Sequence, residues 1–354
     1  IDFSLGNQKS KSKKCTLVIM ILITGGTGMV GAHLLLACAK RNLPTLAIFR
    51  SKKNIEKVSA LFKLLAPGNP EYFNLIEWQK ADLNDIVKLD KIFKKIKFVY
   101  HCAAKVSYAQ YHSEKLIKTN IEGTANTINL ALKHNIKKFV FVSSIASLGA
   151  ESSISIVNED HSWNSNELHT PYAYSKYGAE LEVWRGAQEG LNVVIVNPGV
   201  ILGSHFWERS SGILIKKISK GMLFYPTGNI AIVALEDVVK ILIELMESSI
   251  KNERFILVSK NLKYKNLIEK IAIELNSKKP FFALSKPLLH LLLIIDKIGY
   301  ALGLKKNFFN RATIKSLCSK QQYDGTKIER ILNFNYQDTE LTFKKIKEDL
   351  KASF

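Results

Sequence analysis

The chain has 354 residues, of which 47% are hydrophobic and 23% are charged, and its formal net charge is +20. This composition is typical of a globular protein and excludes a disordered or fibrous chain, and the length is enough for two modest hydrophobic cores. The lysine excess is dispersed, with no long basic block and no basic–aromatic alternation, so we expect no nucleic-acid partner. The four cysteines form no Cys-x-x-Cys pair and the eight histidines are scattered. We therefore expect no metal site and a reducing, cytoplasmic location.

The first apolar region, residues 15–39, has two interpretations. It contains no charged residue and follows the basic stretch KSKSKK, which is the pattern of a membrane span or a cleaved signal. However, four glycines between residues 25 and 31 interrupt it, and the apolar run before them is too short to cross a bilayer. A buried parallel strand, a glycine turn and a helix explain the same residues. We therefore predict no transmembrane span here and a disordered extension over residues 1–19.

Residues 24–31, TGGTGMVG, place glycines between this strand and this helix. Glycines at such a turn let the backbone approach a pyrophosphate closely. The helix N-terminus then offers unpaired N–H groups and the positive end of its dipole. The motif predicts a dinucleotide site formed by Gly25, Thr27, Gly28, Met29, Val30 and Gly31.

The next strand, PTLAIF, indicates which dinucleotide binds. It ends at Arg50, where an acidic residue would bind the adenosine ribose of NAD. Arginine at this position, with lysines following as far as Lys57, suits a 2′-phosphate instead. We therefore expect NADP(H) to be preferred, with NAD(H) as the alternative.

Further apolar strands alternate with helical segments and predict an α/β fold with a doubly wound, mostly parallel sheet. Ligands of such sheets lie across the carboxyl ends of the strands, so residues that follow the strands are candidates for the cofactor site. They are Asp82, Leu83, Ala103, Ala104, Lys105 and Pro198.

The Tyr-x-x-x-Lys pattern occurs at Tyr111, Tyr172 and Tyr323, and the spacing alone does not choose among them in a lysine-rich chain. Tyr172 and Lys176 open a helix that follows the strand ending at Ser144. Residues four apart share a helix face, so this pair can face the cofactor together. Tyr172 is therefore the tyrosine that we expect to do chemistry.

In order along the chain, the motifs TGGTGMVG, ADL, HCAA, TNIEGTAN, SSIASLG, PYAYSK and NPGVILG resemble those of the extended short-chain dehydrogenase/reductase family. That family includes sugar-nucleotide epimerases, dihydroflavonol reductases and 3β-hydroxysteroid dehydrogenases. The resemblance implies a Rossmann NAD(P)-binding domain over residues 20–200. It also implies a smaller α/β substrate-binding lobe over residues 201–354, with part of 229–250 packing back on the Rossmann domain.

The resemblance also implies four catalytic roles: an acid/base, its lysine partner, a serine and a proton-relay asparagine, carried by Tyr172, Lys176, Ser144 and Asn120. A free tyrosine titrates with a pKa near ~10, and a neighbouring lysine would lower that pKa by favouring the phenolate. The sequence departs from the common pattern at Asn197, where many relatives have arginine. It departs again at His101 and Cys102, where smaller residues are common.

In the C-terminal part, we expect substrate contacts from Phe206, Trp207 and Arg209 at the mouth of the site. A second apolar segment, residues 287–309, has no uncharged stretch long enough to span a membrane. It suits a core helix, a homodimer face or an interfacial helix in peripheral membrane contact.

The sequence thus predicts an NADP(H)-dependent oxidoreductase that moves a hydride between nicotinamide and a small-molecule ketone or secondary alcohol. The alternative is a sugar-nucleotide epimerase or dehydratase with retained NAD, which an arginine-lined pyrophosphate pocket would favour. A third hypothesis is a non-catalytic regulator on the same fold, against which the set Ser144, Tyr172 and Lys176 argues.

Overall fold

A computed structural model describes residues 20–107, 110–149, 156–303 and 310–352. The predicted extension over residues 1–19 lies outside the described residues. The strands are β1 (Met20–Thr24), β2 (Thr45–Phe49), β3 (Ile76–Lys80), β4 (Ile96–His101), β5 (Lys138–Val142), β6 (Ile156–Val157), β7 (Val193–Pro198), β8 (Val200–Leu202), β9 (Phe224–Pro226), β10 (Asn229–Ala234), β11 (Glu253–Leu257), β12 (Lys260–Lys263), β13 (Phe282–Leu284) and β14 (Gln322–Tyr323).

In the first half of the chain the α-helices alternate with the strands. In the second half, helices lie closer together along the sequence. They are α1 (Met29–Lys40), α2 (Lys52–Leu65), α3 (Ile86–Phe93), α4 (Ser113–Leu116), α5 (Gly123–Lys133), α6 (Pro171–Gln188), α7 (Ser210–Ser219), α8 (Leu235–Glu247), α9 (Tyr264–Glu274), α10 (Lys286–Ala301), α11 (Arg311–Cys318), α12 (Thr326–Leu332) and α13 (Thr339–Lys351). One turn between α4 and α5, Ile117–Glu122, is π-helical.

The largest sheet has seven parallel strands in the order β11-β7-β5-β4-β1-β2-β3. The strand order reverses at β1, which is the arrangement of a doubly wound sheet. The predicted fold class is confirmed. The edge strand β11 comes from the range assigned to the smaller lobe, so the chain returns to the large sheet after leaving it.

Both faces of this sheet are buried under helices, which explains why its strands are apolar throughout. Within β5, Val140 and Val142 pack with α1, α2 and α8, whereas Phe139 and Phe141 pack with α3, α5 and α6. The period of two along each strand thus supplies two cores from one run of apolar residues.

A smaller unit is built on the three-stranded sheet β12-β10-β8 and the strand pair β13-β9. Its core joins these strands to α7, α9 and α13 through residues such as Ile215, Ile232 and Phe343. Helix α8 begins directly after β10, contacts α1 and β5, and carries the chain back to the large sheet. The two units therefore face each other across the carboxyl ends of the parallel strands.

The second apolar segment of the sequence forms α10, whose Leu289 and Leu293 pack with Ile314 of α11. Residues 304–309 of that segment lie outside the described residues. None of the helices within the described ranges is long and apolar enough to cross a membrane.

Candidate active site

The glycine turn between β1 and α1 is shaped by two close backbone approaches. Gly25 has a positive φ of 69°, and a Cβ there would lie 2.6 Å from the backbone nitrogen of Ala103, two residues after the end of the neighbouring strand β4. A Cβ at Gly31 would collide with the carbonyl oxygen of Gly25, which already accepts a hydrogen bond from Gly28 N at 2.9 Å. Only glycine fits these two positions, so the turn brings β1, β4 and α1 into direct contact.

The N-terminus of α1 is open to an anion. Its N-cap is Gly28, no side chain caps it, and its first turn contains no acidic residue. The first N–H groups of a helix have no partner within the helix, and here Thr27, Gly28, Met29 and Val30 line a cleft. These donors fit the pyrophosphate of a dinucleotide.

That cleft has a volume of about 2160 Å³ and runs along the carboxyl ends of the large sheet into the smaller unit. All the residues predicted to bind the cofactor line it. Ser144, Phe206 and Arg209 line it as well. Among the predicted site residues, Asn120 and Trp207 do not. Trp207 is buried in the core of the smaller unit, so the predicted substrate contact has no support from its position.

Residues that follow β2 make side-chain contacts with both sides of the cleft. The guanidinium of Arg50 lies 3.6 Å from the Asp82 carboxylate, and both side chains are exposed. Across the cleft, Arg209 donates to the side-chain oxygen of Asn54 in the first turn of α2 at 3.5 Å. Arg209, expected at the substrate, therefore lies at the end of the cleft where Arg50 stands.

Tyr172 and Lys176 occupy the first turns of α6, which begins after the N-cap Thr170. The Lys176 amine is buried, donates to the carbonyl oxygen of Val142 at 2.9 Å and lies 4.3 Å from the centre of the Phe141 ring. Burial lowers the pKa of Lys176 to about 8, and the charge of Glu180 opposes that shift. A lysine with such a pKa can change charge near neutral pH.

The other two Tyr-x-x-x-Lys pairs differ from this one. Tyr111 is exposed. The lysine that follows Tyr323, Lys327, donates to Glu253 at 2.6 Å. Burial raises the pKa of Tyr323 to about 12, further from neutral pH. Tyr172 is thus the tyrosine of the three pairs that shares a cleft-facing helix with a buried lysine.

Ser144 stands at the end of β5 and caps the short 3₁₀ turn Ile145–Leu148. Its hydroxyl oxygen accepts a hydrogen bond from Ala146 N at 3.2 Å, so its own proton is available to another acceptor. Because Ser144 also lines the cleft, capping does not prevent contact with a ligand there.

Asn120 lies in the π-helical turn and is buried. Its side chain accepts from Lys105 N at 2.7 Å and donates to Lys105 O at 3.0 Å, and it also donates to the Ser175 hydroxyl at 2.9 Å. π-helical turns are rare and are frequently found at functional sites. Asn120 joins the segment after β4 to helix α6, next to Tyr172 and Lys176.

A buried polar cluster behind Lys176 was not predicted from the sequence. The Glu180 carboxylate accepts from the hydroxyls of Ser143 and Ser147 and, at 3.1 Å, from the Asn197 amide. Arg254 of β11 lies 3.4 Å from the other carboxylate oxygen. Glu180 was predictable from the sequence, because it lies four residues after Lys176 on the same helix. No pattern in the sequence around Arg254 indicates that it belongs to this cluster.

Asn197, a departure from the common motif, also donates to Ser144 O at 3.1 Å and so holds the backbone of the candidate serine. His101, the other departure, is buried between the hydroxyls of Thr24, at 2.8 Å, and Thr124, at 3.0 Å. Burial lowers the pKa of His101 to about 3, so this imidazole is neutral at physiological pH. Burial also raises the pKa of the Cys102 thiol to about 12, which makes it a poor nucleophile.

A comparison with models of known protein families identifies the family of this chain. The model of the NAD-dependent epimerase/dehydratase family matches residues 21–257. The chain belongs to this family. Its members include enzymes that bind a nicotinamide dinucleotide, as the glycine turn and the cleft predict.

Curated relatives of the chain carry different names. Tetraketide alpha-pyrone reductase 2 from Arabidopsis thaliana is 28% identical over 263 residues, which cover 70% of this chain and 80% of that protein. Sterol demethylase protein B from Methylococcus capsulatus is 24% identical over 331 residues, which cover 91% of this chain and 95% of that protein.

Among solved structures, the UDP-glucose 4-epimerase of Thermotoga maritima with UDP-glucose superposes with a TM-score of 0.73. The match covers 95% of this chain and 99% of that chain at 18% sequence identity. At this identity the likeness establishes the fold and leaves the chemistry to be argued from the site.

Gly31→Ala tests the close packing of the glycine turn. The added methyl group must push the Gly25 carbonyl away, and we expect a cost of about 1–3 kcal/mol in unfolding free energy and weaker binding of a nicotinamide dinucleotide. Urea denaturation and fluorescence titration measure the two effects. Gly68→Ala is the matched control, because a Cβ there meets nothing within 4 Å. Equal unfolding free energies and equal dinucleotide affinities for the two variants would contradict this account of the turn.

The pH dependence of stability tests the buried amine. Between the pKa of about 8 in the folded protein and the ordinary 10.5, the unfolded chain holds the Lys176 proton while the folded protein has released it. The contribution of Lys176 to unfolding free energy therefore rises with pH in this window, by up to about 1.4 kcal/mol per unit. Lys176→Met should remove this slope.

Urea denaturation at several pH values compares wild type with this variant, and Lys63→Met on the exposed side of α2 controls for loss of a lysine. The pKa of Lys138 is also lowered to about 8 by burial, and its contribution has the same sign in every protein compared. Parallel pH profiles for wild type and Lys176→Met would refute the shift assigned to Lys176.

Proposed function

We propose that the protein is an NADP(H)-dependent oxidoreductase that interconverts an apolar ketone and its secondary alcohol. The observation that carries the proposal is the apolar lining of the cleft where the smaller unit closes it. This lining includes Ile213, Leu214, Met222, Phe224, Ile268 and Leu284. Such a wall binds a substrate chiefly by removing hydrocarbon from water, and it offers little to a highly charged ligand.

Arg50 supports the choice of NADP(H). A guanidinium binds two phosphate oxygens through its fork of N–H donors, and Arg50 stands where the 2′-phosphate is expected. Its contact with Asp82 is long and exposed, and ion pairs of this kind contribute little free energy. Little is therefore lost when Arg50 turns from the carboxylate to a phosphate.

The catalytic proposal assigns the proton to Tyr172. Bound nicotinamide supplies or accepts the hydride. Tyr172 donates its phenolic proton to the ketone oxygen as the carbonyl carbon is reduced, and removes the hydroxyl proton in the reverse direction. Below its pKa of about 8, the Lys176 cation favours the phenolate that remains.

Two further residues act around that proton transfer. Ser144 donates its free hydroxyl proton to the same substrate oxygen, which stabilises charge as it develops there. Asn120 holds the backbone of Lys105 and, through Ser175, the first turns of α6. We assign Asn120 the role of holding the cleft-lining segment at Lys105 in a fixed position relative to helix α6.

The alternative, a sugar-nucleotide epimerase or dehydratase, has a fold relative with UDP-glucose bound. A second pyrophosphate would require cations on the substrate side. Among the described residues that line the cleft, the arginines are Arg50 and Arg209, and Arg209 contacts Asn54 at the nucleotide end. On the substrate side, Lys315 is paired with Glu167, and Lys217 of α7 lines the cleft as well. These lysines fall short of the arginine-lined pocket that a second pyrophosphate would favour, so we prefer the reductase.

Arg50→Ala tests the cofactor assignment. Loss of a charge-assisted contact to phosphate should weaken NADPH binding about tenfold or more, with NADH binding nearly unchanged because NADH lacks the phosphate. Tryptophan quenching measures both affinities, and Arg330→Ala, at an exposed position of α12, is the control. Tightly held NAD that leaves the protein only on denaturation would instead support the epimerase or dehydratase.

Tyr172→Phe tests the chemistry. We expect NADPH-dependent reduction of apolar aromatic and alicyclic ketones to fall about 10²- to 10⁴-fold while NADPH affinity is retained, since only the transferred proton is lost. Tyr174→Phe, on an exposed position of the same helix, should keep its activity. Full turnover by Tyr172→Phe would revive the non-catalytic hypothesis or require another acid.

A further inference from the structure

Helix α10 presents an apolar stripe to the outside of the molecule. Its inner face packs through Leu289 and Leu293 on α11. On the other side, five large apolar residues are each at least half exposed and recur at spacings of three and four: Leu291, Ile294, Ile295, Ile298 and Leu302. An amphipathic helix normally buries such a stripe, so α10 has two apolar faces of which one is uncovered.

Exposed apolar residues also occur on the strand pair β9–β13, which precedes α10 in the chain and whose Leu284 packs against the α10–α11 cluster. Phe281 is 73% exposed and Phe282 is 58% exposed, and both of their backbone N–H groups donate to Leu223 O. The Phe282 ring lies 5.7 Å from the ring of Phe224, itself nearly half exposed. We call Leu223, Phe224, Phe281 and Phe282, together with the α10 stripe, the apolar face. Contiguous exposed patches of this kind mark interaction sites.

Lysines occur along the segments of the apolar face almost without acidic counterparts. Residues 220–226 and 278–303, which form the face and its border, contain five lysines and one acidic residue, Asp296, which is buried. The lysines are Lys220, Lys278, Lys279, Lys286 and Lys297. The side chain of Lys278 lies against Gly221, which places it beside Lys220 at the same border.

The apolar face is continuous with the cleft. Met222, Phe224 and Leu284 line the cleft, and Phe224 belongs to the face as well. A molecule on the face is therefore next to the apolar end of the cavity. A ligand that is buried in hydrocarbon could pass between the two without crossing water.

We propose that the apolar face docks on a bilayer that contains anionic phospholipid. Apolar residues on one side of a helix with lysines along its border are what an interfacial helix uses to lie in the plane of the membrane surface. The 16-residue α10 lies on the membrane and does not span it. A symmetric dimer through this face would bring the two lysine borders together, and this repulsion favours the lipid over a second copy.

Docking in this orientation has a consequence for the substrate, and this consequence rests on the proposed function. An apolar ketone or alcohol dissolved in the bilayer would reach the cleft through Phe224 and Met222. The lipid-binding proposal itself is independent of the cofactor and of catalysis.

Sedimentation with vesicles tests the proposal. Wild-type protein should bind phosphatidylcholine vesicles that contain phosphatidylserine at least about tenfold more tightly than vesicles of phosphatidylcholine alone, because each lysine near the surface adds to the attraction. Ile295→Asp should weaken binding by about tenfold or more, as should Lys278→Glu combined with Lys279→Glu. Leu341→Asp, at an exposed position of α13, is the control and should bind as wild type does.

Thermal melting confirms that each variant is folded without reference to the cofactor, so failure of the cofactor assignment would leave this test intact. Vesicle binding that is absent, or equal for wild type and Ile295→Asp, overturns the proposal. A wild-type dimer that Ile295→Asp converts to a monomer, measured by light scattering without lipid, would assign the face to a second copy and also overturn it.

Discussion

The burial of the Lys176 amine is the constraint on which the site depends. An ammonium group taken out of water is costly unless charged or polar partners compensate it. The compensation comes from Val142 O at the end of β5 and from the charge of Glu180 one turn along α6. Glu180 in turn is held by Ser143 and Asn197 and faces Arg254. Strands β5, β7 and β11 therefore meet at the one helix that carries Tyr172.

The parts of this arrangement that follow local rules were predictable from the sequence. The glycine turn needs small residues at fixed spacing, and the structure shows why at Gly25 and Gly31. The apolar strands and the i, i+4 relation of Tyr172 to Lys176 depend on backbone periodicity alone. The parallel sheet and the cleft along its carboxyl ends then follow from the alternation of strands and helices.

Contacts between distant segments were not predictable. Arg254 reaches Glu180 only because β11 pairs with β7, and nothing in the sequence around Arg254 specifies that pairing. Arg209 was expected at the substrate, yet it bonds Asn54 because the loop before α7 folds towards α2. Trp207, in the same loop, is buried in the core of the smaller unit. Loop residues of this kind are placed by packing, which local patterns do not encode.

A crystal structure of the protein with NADP⁺ tests the central claim most directly, namely that one cleft aligns a phosphorylated dinucleotide with Tyr172. The account predicts the pyrophosphate at the N-terminus of α1, the 2′-phosphate in contact with Arg50 and the nicotinamide end beside Tyr172 and Lys176. A dinucleotide bound with its nicotinamide away from Tyr172, or a 2′-phosphate that Arg50 does not contact, would contradict it.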